Sequence, residues 1–219
     1  MALFTKKEVF PIVLILFIVV LSIYIYPSLP KEVPSHWNAQ GQIDDWSSRE
    51  FTVWFFPSLI LAVYLLMMFI PLMDPLRKNY ASFTVPYYWF RTAFVVFFSA
   101  LYLFTIWTAL GGNLNINYFI LPAIAVLFIV IGIFLPQIKR NYFVGLRTPW
   151  TLASEETWDK THAFGGKLFI IVGILSFFSF LFYDKTILTF VLAVLVAVII
   201  SFIYSYLVFK KVGGFKNNN

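Results

Sequence analysis

Residues 187–209 read ILTFVLAVLVAVIISFIYSYLVF, 23 consecutive residues without a charged side chain. An α-helix needs about 20 apolar residues to cross the hydrocarbon core of a bilayer. Five further stretches of similar length and composition occur along the chain, at about 9–27, 51–73, 88–110, 117–136 and 164–182. The pattern predicts an all-α integral membrane protein, built as a bundle of six transmembrane helices.

The amino-acid composition indicates that most of this chain lies in a lipid bilayer. Of its 219 residues, 61% are hydrophobic and 12% are charged, whereas a soluble domain carries about 25% charged residues. The absence of cysteine excludes disulfides and thiolate metal sites. The net charge of +6 comes from basic residues at the ends of the apolar runs rather than from one basic stripe. This distribution is typical of a membrane protein and argues against direct contact with nucleic acid.

The positions of Lys and Arg predict the orientation of the chain. Six spans place both termini on the same side of the membrane. If that side is the cytoplasm, 13 of the 16 Lys and Arg residues are cytoplasmic, and the others are Lys31, Arg49 and Lys185. Because Lys and Arg concentrate on the cytoplasmic side of membrane proteins, both termini are predicted to be cytoplasmic. The connector 26–50 is then extracellular, and the connector 137–163 is cytoplasmic.

The extracellular connector reads YPSLPKEVPSHWNAQGQIDDWSSRE and forms a short loop domain. Gly41 predicts a tight turn with positive φ. The polar and aromatic residues around this turn are His36, Trp37, Asn38, Asp44, Asp45 and Trp46. Two interpretations are open: a contact site for a peptide or cation, or a folded hairpin whose polar groups satisfy one another. One His and two adjacent Asp do not make a zinc signature.

The cytoplasmic connector contains NYFVGLRTPWTLASEETWDKTHAFGG at residues 141–166. Its first part is predicted to be irregular, and Thr151 is a plausible N-cap for a short helix. Glu156 and Lys160 have the i,i+4 spacing of a favourable ion pair. One face of the helix would carry Ser154, Trp158, Thr161, His162 and Gly165. Gly165-Gly166 offers a bend before the fifth span.

Two side chains of this connector have alternative interpretations. Arg147 either anchors the loop to lipid phosphate or bridges Glu155 or Asp159. His162 either locks the helix through a hydrogen bond to Trp158 or a loop carbonyl, or contacts a partner. His162 and His36 lie on opposite faces of the membrane in this topology, which rules out a metal site that uses both.

The predicted spans offer little chemistry for catalysis or transport. They contain no Asp or Glu, and Arg91 and Lys167 lie close enough to span ends to reach the interface. No H-E-x-x-H or G-x-S-x-G motif is present. The sequence therefore predicts no enzyme activity, no metal and no cofactor. A small-molecule or ion transporter that uses hydroxyls and kinked helices is the alternative to a binding protein.

Both connectors resemble known domains. The extracellular one resembles the DUF1648 domain, whose pattern is matched by Leu29, Pro30, Pro34, His36, Asn38, Gly41 and Asp44. The cytoplasmic one resembles the SdpI family, the immunity proteins of the sporulation-delaying toxin system, at Asn141, Gly145, Arg147, Thr148, Pro149, Trp150, Thr151, Trp158, Thr161, His162 and Gly166. The resemblance divides the chain into a DUF1648-like region, 1–75, and an SdpI-like region, 76–219.

The resemblance implies a protein of the bacterial plasma membrane that gives resistance to a secreted toxic peptide by binding rather than by catalysis. It also implies recruitment of a cytoplasmic transcriptional repressor to the membrane. The expected partners are therefore lipid, toxin and repressor. The expected toxin contacts are His36, Trp37, Asn38, Gly41 and Asp44. The expected repressor contacts are Asn141, Gly145, Arg147, Thr148, Trp150, Trp158, Thr161 and His162.

Overall fold

A computed structural model describes residues 6–179 and 186–213. Six of the described helices are long and apolar enough to cross a membrane, which confirms the predicted multi-pass membrane protein. Along the chain the helices and strands are α1 Val9–Ile25, β1 Glu32–Trp37, β2 Ile43–Ser48, α2 Arg49–Met73, α3 Thr84–Ala109, α4 Asn117–Phe134, α5 Pro149–Ala153, α6 Glu155–Ser179 and α7 Thr186–Lys211. The end of the predicted fifth span and the turn after it lie outside the described residues.

One element departs from the all-α expectation. Strands β1 and β2 pair antiparallel as a two-stranded hairpin between the first two spanning helices. Proline-rich sequence opposes a helix here, and Val33, buried in β1, gives the hairpin an apolar anchor. A folded hairpin was one of the two interpretations that the sequence left open for this connector.

The predicted bend at Gly165-Gly166 is wrong, because α6 runs without interruption through both glycines. Both are buried. A Cβ added to Gly166 would lie 2.6 Å from the Gly132 carbonyl oxygen, and a Cβ on Gly132 would lie 2.6 Å from the Gly166 carbonyl oxygen. These two glycines therefore allow the backbones of α4 and α6 to pack directly against each other, as small residues do in membrane helix pairs.

The chain folds as two compact units, residues 1–68 with 91–124, and residues 69–90 with 125–219. In the first unit, α1, α2 and α3 share an apolar core that includes Ile18, Ile60 and Val95. The hydroxyls of Ser22 and Tyr102 lie 2.6 Å apart within this unit. Hydrogen bonding between these hydroxyls fixes α1 against α3 without leaving either polar group unsatisfied in an apolar core.

A buried ion pair links the same three helices near their other end. Glu8, directly before α1, accepts hydrogen bonds from the Arg91 guanidinium and from the Tyr64 hydroxyl, the latter at 2.9 Å. The Glu8 and Arg91 side chains are each 7% exposed. Arg91, which was expected to reach the membrane interface, is buried in the protein and pairs there with the carboxylate at the start of α1.

Candidate functional site

The hairpin turn is shaped by backbone and side-chain hydrogen bonds around Asn38. Its side-chain oxygen accepts from the backbone N–H groups of Gln40 and Gln42, both at 3.0 Å. Gly41 has φ +76°, which confirms the predicted positive-φ turn. Asn38 therefore acts as the turn-forming residue that its type favours.

His36 and Asp44 face each other across the two strands. The His36 Nδ1 and Asp44 Oδ1 atoms lie 2.6 Å apart, and the side chains are 65% and 41% exposed. Trp37 is half-buried and packs on Phe104 of α3, with ring centroids 6.3 Å apart. The hairpin thus satisfies its own polar groups, as one interpretation expected, while the His–Asp pair stays open to a ligand.

The loop 111–116 and the first residue of α4, Asn117, hold the hairpin turn in place. Asn115 Nδ2 donates to the Gln40 carbonyl at 2.7 Å, and Asn117 Nδ2 donates to the Ala39 carbonyl at 3.1 Å. A Cβ added to Gly41 would lie 1.9 Å from Asn115 Oδ1. The sequence gives no signal of this role for Asn115, since Asn is common in turns for local reasons.

Replacing Asn115 with Ala is expected to loosen the hairpin turn, because the Gln40 carbonyl loses its donor. We expect amide exchange at residues 38–42 to accelerate by about tenfold, equivalent to about 1 kcal/mol for one net hydrogen bond. Hydrogen–deuterium exchange mass spectrometry measures this. The exposed Leu114 replaced with Ala is the control in the same loop. Equal protection in both variants would show that Asn115 does not restrain the turn.

The second candidate site is the segment from Ile138 to Ser154, which packs on α6. Asn141 is fully buried, and its side-chain oxygen accepts from the backbone N–H groups of Phe143 and Val144 at 2.9 and 2.7 Å. Its amide nitrogen donates to the Val144 carbonyl at 2.9 Å. Asn141 therefore folds the loop around itself.

Asp74 supports the same loop, although the sequence did not single it out. This buried carboxylate accepts from the Tyr142 backbone N–H at 2.9 Å and from the Tyr80 hydroxyl at 3.0 Å. Burial, and then the negative charge of Asp74, raise the pKa of Tyr80, so its hydroxyl stays protonated and donates. Asp74 thus joins the connector before α3 to the loop before α5.

Trp158 and His162 form the centre of this site. Both are fully buried, and their rings stack with centroids 4.0 Å apart. Trp158 Nε1 donates to the Ile138 carbonyl at 2.7 Å. His162 Nε2 accepts from the Leu146 N–H at 3.0 Å, and Nδ1 lies 2.8 Å from the Trp158 carbonyl oxygen. A neutral imidazole that donates from Nδ1 satisfies both contacts.

Gly145 allows the loop to pass over the imidazole. It has φ +112°, and a Cβ at this position would lie 2.3 Å from His162 Nε2. Both the backbone conformation and the space therefore require glycine here. The interpretation of His162 as a lock between helix and loop is the one that the geometry supports.

Helix α5 begins with a capping box. Thr148 is its N-cap, because its side chain accepts from the Thr151 N–H at 3.1 Å and the Thr151 hydroxyl accepts from the Thr148 N–H at 2.8 Å. The expectation of Thr151 as N-cap of the helix that carries Trp158 is wrong, because α6 begins at Glu155 and the Ser154 hydroxyl accepts from the Thr157 N–H at 3.2 Å. Thr148 Oγ1 also lies 3.0 Å from Ser205 Oγ, which ties α5 to α7. Half-buried Trp150 packs edge to face against Phe202 of α7, with ring centroids 5.0 Å apart.

The exposed part of the site is charged. Arg147 donates to the Tyr142 carbonyl and forms no ion pair with Glu155 or Asp159, contrary to one interpretation. Glu155 pairs with Arg140 at 3.4 Å, and Asp159 pairs with Lys139 at 3.2 Å. A cavity of about 290 Å³ is lined by Asn79, Ser82, Lys139, Arg140, Glu155, Trp158 and Asp159. The predicted Glu156–Lys160 pair is confirmed at 2.6 Å.

The two groups of predicted site residues differ in accessibility. In the hairpin, His36 and Asp44 are exposed. In the second site, Arg147 is exposed and Trp150 is half-buried, whereas the fully or nearly fully buried members are Asn141, Thr148, Trp158, Thr161 and His162. Within residues 6–179 and 186–213, no group of three or more His, Asp or Glu is placed to hold a metal ion.

Comparison with known proteins matches both halves of the chain. The SdpI/YfhL protein family model matches residues 137–205, which include Trp158 and His162, and the DUF1648 model matches residues 13–61, which include the hairpin. "Immunity protein SdpI" of Bacillus subtilis (strain 168) is 28% identical over 210 residues, which cover 95% of this chain and 99% of the relative. No solved structure matches. The similarity to the SdpI/YfhL protein family thus covers the second candidate site, and the similarity to DUF1648 covers the hairpin.

Proposed function

We propose that this protein gives a bacterial cell immunity to a secreted peptide toxin, and that it does so by binding rather than by catalysis. The observation that carries the proposal is similarity to an immunity protein along 95% of the chain, through both candidate sites. Survival of a toxin-sensitive bacterial host that expresses the chain, under challenge with the purified toxin of the sporulation-delaying system, tests it directly.

The proposed orientation places both termini in the cytoplasm and the hairpin outside the plasma membrane. The distribution of Lys and Arg supports it. A toxin arriving from outside then meets His36 and Asp44, which are exposed. Asn38 and Gly41 shape the turn, and Trp37 anchors it on α3. Toxin recognition accordingly lies in the proposed region 1–75.

In this orientation the site in the region 76–219 faces the cytoplasm, where we propose that it recruits a transcriptional repressor. Most of the expected contact residues are buried, so they would act by holding the loop in shape. Arg147 and Trp150 remain accessible for direct contact. The Lys139–Asp159 and Arg140–Glu155 ion pairs of the same site suit the polar rim of such an interface.

Replacing Arg147 with Ala is expected to reduce repressor recruitment by about tenfold or more while the protein stays folded, since an exposed Arg at an interface contributes more to binding than to stability. The membrane-bound fraction of a fluorescent fusion of the sporulation-delaying repressor, measured during toxin challenge, checks this. The exposed Lys160 replaced with Ala is the matched control. Full recruitment by the Arg147 variant would contradict the proposed contact.

A further inference from the structure

We propose that a groove between α1 and α2 receives the apolar face of a cationic amphipathic peptide. The inference rests on the proposed immunity function and names the binding place and chemical class of its ligand. The groove is a cavity of about 330 Å³ in the first unit, and the residues that carry the argument are Val19, Ser22, Tyr26, Glu50, Trp54 and Ser58.

The groove is open along its side. Trp54 is 64% exposed, and Ser58 and the neighbouring Leu61 are also exposed. These residues belong to a spanning helix, so the opening faces the lipid phase. A peptide that has already partitioned into the bilayer reaches the groove sideways, without crossing a polar barrier. Burial of its apolar side chains against Val19 and Trp54 supplies packing that lipid tails provide less specifically.

The end of the groove nearest the hairpin is polar. Glu50 Oε1 accepts from the Tyr26 hydroxyl at 2.9 Å and from Arg49 Nε at 3.1 Å, and its side chain remains 55% exposed. Arg49 also donates to the Leu29 carbonyl at 3.2 Å, and its backbone N–H donates to the Lys31 carbonyl at 3.0 Å. The groove entrance and the base of the hairpin are therefore one hydrogen-bonded structure.

The charge around this entrance favours a cationic ligand. Residues 26–50 contain two basic side chains, Lys31 and Arg49, against four acidic ones, Glu32, Asp44, Asp45 and Glu50, for a local charge of −2 in a chain of net charge +6. The hairpin and groove entrance thus form an acidic surface on a basic protein. Such a surface attracts cationic peptides and repels anionic ones. A zwitterionic lipid would gain little from it, which is why we assign the groove to a peptide.

Photocrosslinking tests the inference. The full chain carries benzoylphenylalanine in place of Ser58, in the groove, or in place of Leu195, which is exposed on α7. Each variant, in phosphatidylcholine nanodiscs, is irradiated with a helical Lys/Leu peptide or with the same peptide in which Glu replaces Lys. At position 58, we expect the yield of Lys/Leu adducts to exceed the yield of Glu/Leu adducts by about tenfold. It should exceed the yield of Lys/Leu adducts at position 195 by the same factor. Glu50→Gln should reduce the Lys/Leu yield at position 58 about threefold.

Mass spectrometry of the adducts decides between occupants. Lipid adducts alone at position 58, or equal yields from the two peptides, would overturn the groove as a cationic-peptide site. The immunity proposal is tested independently of the adducts. Survival of a host that expresses the unmodified chain under toxin challenge supports immunity, whichever adducts form. A host that dies, together with strong Lys/Leu adducts at position 58, would contradict immunity and leave the groove in place.

Discussion

Arg91→Leu is expected to destabilise the protein by about 3–5 kcal/mol, the typical cost of removing one partner from a buried ion pair. The substitution leaves the Glu8 carboxylate buried without its cation, with the Tyr64 hydroxyl as its remaining described partner. The free energy of unfolding in detergent, or a fall in the thermal midpoint followed by fluorescence, measures the effect.

The matched control removes both charges. Glu8→Gln combined with Arg91→Leu is expected to recover most of the lost stability, because no unpaired charge remains and Gln still accepts from Tyr64. If Arg91→Leu alone melts like the unmodified protein, the two side chains do not form a buried pair. If the double variant is no better than the single one, Arg91 acts through packing rather than charge.

His162→Ala is the second substitution with a large expected effect, about 3 kcal/mol or more. It removes the ring stacked on Trp158, leaves a cavity, and takes the acceptor from the Leu146 N–H. We expect the loop 138–154 to open, so that trypsin cuts after the exposed Arg147 while the membrane-spanning helices remain intact. Limited proteolysis of reconstituted protein measures the cleavage rate.

Two comparison variants separate the roles of the imidazole. His162→Phe keeps the stacking but loses the acceptor, and it should fall between the Ala variant and the unmodified protein. Lys160→Ala, on the exposed face of the same helix, should leave the cleavage rate unchanged. Unchanged proteolysis in the Ala variant would show that His162 does not hold the loop and would favour its direct contact with a partner.

Hydropathy and charge patterns were sufficient to predict the six spans, because each span carries its signal within about 20 neighbouring residues. The partner of Arg91 could not be predicted from such a short window. Glu8 lies 83 residues away and sits just outside the first apolar run. Periodicity shows that a charge lies near a span end, but it does not show which helix ends meet.

In the candidate sites too, contacts between residues close in sequence were predictable and contacts between distant residues were not. Trp158 and His162 are four residues apart on one helix, so their contact was predictable from spacing. Asp74 acts on Tyr142 over 68 positions, and Asn115 acts on Gln40 over 75 positions. Both lie in short connectors, where Asp and Asn usually act on their own turn. Their roles could be recognised only once the fold brought the loops together.

The roles of the family-matching residues also changed once burial was known. Asn141, Trp158 and His162 were expected to contact a partner, and they lie inside the protein. Polar motif residues with several hydrogen-bonding atoms serve equally well as internal braces, and sequence alone does not distinguish the two uses. Arg147 is the exposed exception.

Survival under toxin challenge is the most direct test of the proposed immunity. A toxin-sensitive host expresses the unmodified chain, the His36→Ala and Asp44→Ala double variant, or no chain, at matched membrane levels checked by immunoblot. We expect the unmodified chain to restore growth, and the double variant, which lacks the exposed pair on the hairpin, to lose most of the protection. Growth no better with the unmodified chain than with none would contradict immunity, and full protection by the double variant would contradict the hairpin as its recognition site.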